Sequence, residues 1–509
     1  MALASDDPAI RRAVLLVVVA ATLVRLAFAA AIGLGIDESY MVAAGRAWSW
    51  SYFDHPPLAW WLARGAATLL GSEAPVVVRL PFILLGGLTT FLLYRLGAVL
   101  FSARAGLYAA VAYTLAPVFG VTSGTWVLPD GPLDAALAGF ALALAHALFG
   151  PPGRATRWWL AAGLAGGLAL MSKYSAVLAF AGLGVFLLSR RDMRGWLARP
   201  APYLAAVLGI AVFSPVLLWN ATHGWASFAF QGGRAAASAF QPWMPLVVVA
   251  GGALFLLPWI FAPLAVATVR AARAGPGGGA GDSPDDGPGD GRRWLLVCLG
   301  LGPVLVFCLV SIWSRGLPLF HWAAPGYLLL LPLLGDLVAR AAADGRRWVS
   351  WWTWGTAAFV LVGLAVVVAE VRLQAVSRFV PALAAARPAM QARDWTALGP
   401  DLAAHGLAGP DAVVGAAQWH VAGKVDYGLG GAVPVICLCR DPRQYGLIRP
   451  ADAYLGRDVV LVVPKGERRG AEELFADRFA SLEPIGEVPL GEGMALELWL
   501  GHGLRAPAE

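Results

Sequence analysis

Charge is scarce in this 509-residue sequence. Asp, Glu, Lys and Arg together make up 14% of it, where a soluble globular chain carries roughly one-quarter, so a chain that faces water over its whole length is excluded. Cysteine is nearly as rare, with four in all. Cys298 and Cys308 lie inside one apolar run and are expected to pack as small hydrophobes. Cys437 and Cys439 form a C-x-C pair that lacks the spacing of a thioredoxin-type or zinc motif and is close enough to strain a bridge, so no disulfide framework is expected. The C-terminal region has no G-x-G-x-x-G after a strand, which leaves nucleotide binding without support, and no sequential metal motif such as H-E-x-x-H is present.

Apolar sequence is what abounds. Hydrophobic residues reach 59% and the mean hydropathy is +0.66. Apolar runs recur to about residue 370, each long enough to cross a hydrocarbon core of roughly 30 Å. Strands of a β-barrel would alternate in polarity, which these runs do not, so the chain reads as a polytopic helical membrane protein. About eleven spans are expected, near 13–34, 76–100, 105–121, 132–149, 158–171, 174–189, 201–219, 244–268, 294–313, 323–340 and 348–369. The first follows Arg11 and Arg12 and is too long for a signal-peptide core, so it is expected to stay as a signal-anchor.

Basic residues orient the spans. With the N-terminus in the cytoplasm, seventeen arginines fall at inner ends and loops, against six Lys or Arg in the outer loops before the tail. The net charge of +6 is therefore a topological bias, and no nucleic-acid partner is implied. In this orientation residues 35–75 form an outer loop with interfacial helices rich in Trp. The 274–293 loop, with AGPGGGAGDSPDDGPGDG at 274–291, is a flexible cytoplasmic linker. Residues 1–370 then form the transmembrane domain. Residues 371–509, where strand and helix patterns alternate, form an extracytoplasmic α/β domain. In it, DAVVGAAQWHVAGKVDYGLGG reads as strand then helix, AVPVICL and RDVVLVVPK as strands, and GAEELFADRFASLE as an amphipathic helix. His405 and His420 read as ordinary histidines.

The polar residues gather at one face. IDESYMVAAGRAWSWSYFDHPPLAWW, residues 36–61, places Asp37, Glu38, Asp54 and His55 just after the first span. The outer ends of other spans carry Asp130 in LPDGPLD, Lys173 in MSKYS, and Arg315 and His321 in SRGLPLFHW, while Arg79 opens the second span. Each taken alone reads as a solvated membrane-edge charge; together they put carboxylates and cations beside apolar surface, where ionisable groups are costly and usually functional. Asp134 lies one turn into its span and either caps that helix or faces the same cavity. Arg25 is the exception, a charge within a span.

That pattern suits transfer of a sugar from a lipid-anchored phosphate. Outside the cytoplasm there is no nucleotide-sugar pool, so an activated sugar must arrive on a carrier lipid. Such a transfer needs a carboxylate to take the acceptor proton or to steady charge at the anomeric carbon, and Asp37 suits the base. His55, Lys173, Arg315, Arg79 and His321 suit the departing phosphate. A single in-line displacement would invert the anomeric centre.

These residues resemble a known family. DESYMVAAGRAWSWSYFDHPPLAWW is similar to the first outer loop of the GT-C glycosyltransferases of the protein-mannosyltransferase-like and aminoarabinose-transferase-like group. VVVRLPFILLGG, LPDGPL, MSKYSAVL, RGLPLFHWAAPGYLLLLPLLG and VDYGLGGAVPVICLCRDPRQYG also fit. The resemblance implies a GT-C membrane fold, Asp37 as the principal catalytic carboxylate beside Glu38, Asp130 as a second carboxylate lining the sugar site, and Lys173 as a donor lysine. His55 stands where the aminoarabinose enzymes have lysine, so its charge would vary with pH around a free-histidine pKa near 6.5. That departure leaves aminoarabinose and lipid A specificity open. Asp37, Glu38, Asp130 and His55 could together hold a divalent cation, but no cofactor is expected. The expected partners are a polyprenyl-phosphate sugar donor, a lipid, glycan or protein acceptor, and membrane lipids. The expected protein is a monomer in a bacterial inner membrane, with its C-terminal domain in the periplasm. A flippase for lipid-linked sugars is the alternative; it calls for charged or broken helices near the bilayer midplane and often for internal repeats.

Overall fold

The structure, a computed structural model, describes residues 7–234, 240–277, 291–313, 320–380, 392–409, 411–467, 469–491 and 494–507. The linker reading at 274–293 falls largely, and Arg315 wholly, outside the described residues. The helices of the N-terminal part are α1 (Pro8–Ala31), α2 (Ile36–Ala44), α3 (Leu58–Leu70), α4 (Pro75–Leu100), α5 (Ala103–Leu115), α6 (Asp130–Phe149), α7 (Ala155–Ser172) and α8 (Val177–Ser189). They continue with α9 (Pro200–Thr222), α10 (Ala226–Arg234), α11 (Met244–Leu256), α12 (Pro258–Ala274), α13 (Arg292–Ser311), α14 (Ala324–Ala343) and α15 (Trp348–Leu373). Among the described residues, seven helical stretches are long and apolar enough to cross a membrane: α1, α4, α6, α9, α13, α14 with the turn before it, and α15. This is a multi-pass membrane protein. The single span expected at 244–268 is instead two helices, α11 and α12, bent by 117°. The break falls at Leu257 and Pro258 because proline lacks the N–H that continues a helix and its ring clashes with the preceding turn.

Packing divides the chain into two units. One, the helical unit, comprises residues 1–26, 55–59 and 80–362; the other, the mixed unit, comprises 27–54, 60–79 and 363–509. In the helical unit α14 and α6 are the interior elements, with most of their side chains buried, whereas α9 presents leucines and valines outward, as a lipid-facing helix does. Small residues let neighbours approach closely. A methyl added at Gly163 of α7 would lie 2.3 Å from the carbonyl oxygen of Ala205 in α9, so that contact excludes any side chain. The short 150–154 connection makes α6 and α7 antiparallel neighbours, which puts the first residue of α6 and the last of α7 at the same end.

In the mixed unit the chain adds α16 (Leu398–Ala404), α17 (Trp419–Gly428), α18 (Tyr445–Ile448) and α19 (Ala471–Phe475) to a five-stranded sheet. Its strands are β1 (Val414–Ala416), β2 (Val435–Cys437), β3 (Val459–Pro464), β4 (Ser481–Gly491) and β5 (Met494–His502), in the order β2-β1-β3-β5-β4. β1 pairs in parallel with β2 and β3, while β5 runs antiparallel to both β3 and β4. The all-buried Val459–Val463 run sits on Phe475, Phe479 and Ile436, as a covered central strand requires. The helix expected over GAEELFADRFASLE ends early, at Phe475, because the chain from Ser481 joins the sheet as β4. Pro484 and Pro489 in β4 fit its edge position and coincide with its bulges. Cys437 and Cys439 are joined by a disulfide, contrary to the spacing argument; at the end of β2 the chain turns so that their Cα atoms are 5.4 Å apart, within ordinary disulfide reach.

Candidate active site

In the helical unit three of the expected residues converge on the carboxylate of a fourth. Asp130 opens α6, and Lys173 follows α7 in extended backbone. Lys173 Nζ donates to Asp130 Oδ1 at 2.9 Å, with the two side chains only 13% and 7% exposed. His321, in the turn preceding α14, and His55 both lie within electrostatic reach of the same carboxylate. The N-terminus of α6 favours the anion, and the C-terminal carbonyls of α7 favour the ammonium. Lys173 has three N–H donors and uses one on Asp130, so it can accept a second anion such as a phosphate oxygen. Beside it, Tyr174 shares a 2.7 Å hydrogen bond with Ser227 and packs edge-on against Phe228. Asp134 does not cap the helix: the cap position is Pro129, and Asp134 is buried in the second turn.

The mixed unit contains the acidic pair, and the two neighbours differ sharply. Asp37 is exposed in the first turn of α2. Glu38 points inward and is held by Arg79 in a two-pronged pair, with Nε to Oε1 at 2.8 Å and Nη2 to Oε2 at 2.6 Å. Glu38 also accepts the Gly35 N–H at 2.8 Å, which closes the first turn of α2. Arg79 is fully buried and donates further to the carbonyls of Ala29, Ile32 and Gly33. Every end of that guanidinium is engaged inside the unit, so the structure gives Glu38 and Arg79 a bracing geometry. Lys424 of α17 adds to it, donating to the carbonyls of Leu34 and Arg393. Burial pulls the Lys424 ammonium down to about 7, against the opposing pull of Glu38 and Asp394.

Next to Asp37 lies a buried group that sequence reasoning left without a role. Asp54 accepts from the Tyr40 hydroxyl at 3.3 Å and pairs with Arg443 at 3.3 Å, while Arg443 covers the face of Trp419 at 3.6 Å. Burial pushes the Asp54 carboxyl up to about 6; Arg443 pulls the other way, and the Asp37 charge adds a further upward push. Gln444 takes the Phe53 N–H on its side-chain oxygen, and its own N–H donates to the Tyr40 hydroxyl. Asp426 is held by both Arg46 and Arg449. The residues missed at first, Lys424, Asp426, Arg443 and Gln444, lie in or beside the VDYGLGG and CRDPRQYG stretches, whose charges in an otherwise apolar segment were the available signal. His405 is a surface histidine at the end of α16, bonded to the Asp401 carbonyl, and His420 is half-buried in α17. Among the described residues, no three His, Cys, Asp or Glu side chains come together as a metal-ligating group.

The fold is that of the GT-C membrane glycosyltransferases. Two crystal structures of ArnT from Cupriavidus metallidurans match it over nearly the full length of both chains. The apo form is 17% identical with a TM-score of 0.64, and the form bound to undecaprenyl phosphate is 16% identical with a TM-score of 0.62; each covers 96% of this chain and 97% of its own. In sequence, residues 54–219 match the family described as dolichyl-phosphate-mannose-protein mannosyltransferase. That stretch contains His55, Arg79, Asp130 and Lys173. Among curated proteins, none matches the chain.

Proposed function

We propose that this protein is a membrane glycosyltransferase that moves a sugar from a polyprenyl phosphate to an acceptor outside the cytoplasm. The observation that carries the proposal is the Lys173–Asp130 pair, attended by His55 and His321, at the end of an apolar helix bundle of this fold. A pre-paired lysine presents a desolvated, fixed cation to a phosphate, and the apolar spans offer the carrier's tail a surface. The relatives of known structure support the carrier's chemistry, since one of them holds undecaprenyl phosphate.

The reaction is a displacement at the anomeric carbon. An acceptor oxygen forms the new bond to that carbon while the bond to the phosphate oxygen breaks. The leaving phosphate keeps the electron pair, and Lys173, with His55 and His321, neutralises the charge it gains. Asp37, the exposed member of the acidic pair, takes the acceptor proton. Asp130 holds the lysine and faces the sugar. Glu38 and Arg79 brace α2, which carries Asp37. Residues 371–509 form an extracytoplasmic domain, and the membrane is a bacterial inner membrane with the N-terminus inside.

Binding of a polyprenyl phosphate to the purified protein in lipid nanodiscs tests the donor site. The proposal expects saturable binding that Lys173→Ala weakens. Equal affinity in wild type and Lys173→Ala would remove its basis.

A further inference from the structure

Arg25 is a charge deep within an apolar helix, and nothing in the reaction above uses it. Its side chain is buried, and its Nε donates at 2.9 Å to the carbonyl of Gly120. Gly120 belongs to a π-helical turn, Val118–Ser123, that follows α5. Turns of this kind are rare and recur at functional sites. The guanidinium also faces the Tyr113 ring at 6.0 Å. Among the described residues, its two terminal nitrogens have no hydrogen-bond partner, and neither does Asp134 Oδ2.

The surroundings are shaped to this one side chain. A methyl added at Gly86 of α4 would lie 3.0 Å from Arg25 Nη1, and one added at Gly124 would lie 3.0 Å from Nε. Beyond the turn the contacts run on toward the candidate site. Ser123 donates to the Val118 carbonyl at 3.1 Å and hydrogen-bonds the Asp134 carboxyl. A methyl added at Gly131 would lie 2.6 Å from the Ser123 carbonyl oxygen, so the turn presses directly on the first turn of α6. Asp130 opens that helix and holds Lys173.

We propose that Arg25 is a positioning residue: its guanidinium clamps the 118–123 turn and thereby fixes the start of α6, so that Asp130 meets Lys173. This rests on the proposal that the Asp130–Lys173 pair serves the donor phosphate. An intramembrane arginine is costly to keep, and a discrete mechanical role accounts for its retention, for the glycines around it and for the π turn.

A binding cycle tests it. Wild type, Lys173→Ala, Asp130→Asn, Arg25→Met, Gly124→Ala and the Arg25→Met/Asp130→Asn double variant are placed in nanodiscs and titrated with a polyprenyl phosphate. Arg25→Met is expected to shift the dissociation constant about five-fold, in the same direction as Asp130→Asn, and to add nothing in the double variant. Gly124→Ala keeps the charge but crowds both the guanidinium and the Phe119 carbonyl of the turn it clamps, and is expected to reproduce the shift should Arg25→Met fail to fold. A purely structural arginine would multiply its effect with that of Asp130→Asn. Multiplied effects, or wild-type binding by both Arg25→Met and Gly124→Ala while Lys173→Ala is weakened, overturn the proposal alone. Wild-type binding by Lys173→Ala overturns the donor-site reading and this inference with it.

Discussion

Glu38→Gln should separate the two members of the acidic pair. The substitution keeps the shape of the side chain and removes its charge opposite Arg79, which is fully buried. Breaking a buried ion pair by removing one partner costs about 3–5 kcal/mol, because the other charge is left uncompensated. Here the carbonyls of Ala29, Ile32 and Gly33 still take the terminal guanidinium hydrogens, and the amide oxygen of Gln can accept one more bond. The lower end, about 3 kcal/mol, is therefore expected. For a unit of this size that corresponds to a fall in Tm of roughly 6–12 °C. Asp37 is exposed, so Asp37→Asn should change stability by no more than about 0.5 kcal/mol. It should nonetheless lower sugar transfer by about 10²- to 10⁴-fold, as loss of a general base does. Tryptophan fluorescence melts of the solubilised protein follow the first effect, since Trp60 and Trp395 are buried in the same unit. A Glu38→Gln variant that melts with wild type, or an Asp37→Asn variant that melts with Glu38→Gln, would refute the division of labour.

Three further outcomes are expected. Lys173→Ala should raise the donor KM by roughly ten- to hundred-fold, the worth of a charge-assisted hydrogen bond, and should also lower the melting temperature because Asp130 is left buried without its partner; steady-state kinetics over donor concentration measure the first effect. Stability of the mixed unit should fall as pH rises from about 4 to 6, because the folded state holds the Asp54 proton up to about 6 while the unfolded chain releases it near 3.8. Asp54→Asn should flatten that slope in chemical denaturation at a series of pH values. Stability should climb again between about pH 7 and 10.5, since folded Lys424 sheds its proton near 7 and the unfolded chain keeps it to 10.5. Lys424→Met should remove this second slope.

The membrane half was legible because its signals are repetitive. Long apolar runs are readable without partners, and every expected span falls on a helix or a helical pair. Pro258 was visible too, but its effect depended on whether neighbouring helices would accommodate a bend, which no local pattern states. The candidate site was half legible. Asp130 and Lys173 stood out as charges at apolar ends, and the structure brings them to 2.9 Å. Glu38 and Arg79 stood out for the same reason, yet they face each other, 41 residues apart in sequence, and only the fold reveals that pairing. Arg443, the partner of Asp54, lies 389 residues further along, and Lys424 reaches back 390 residues to the Leu34 carbonyl. Both look like surface charges until the chain closes on itself. The β4–β5 hairpin was not read from sequence: Pro484, Pro489 and the glycines of its bulges break the alternation that marks a strand.

Transfer itself tests the account most directly. Proteoliposomes holding the protein, a polyprenyl phosphate carrying a radiolabelled sugar, and an envelope lipid and glycan extract should move label off the carrier and onto extract molecules. Asp37→Asn should leave the label on the carrier while its protein melts as wild type does. Label that stays on the carrier with wild-type protein across the common sugar donors, or that moves equally with Asp37→Asn, would contradict the claim that this chain is a lipid-dependent glycosyltransferase working through that carboxylate.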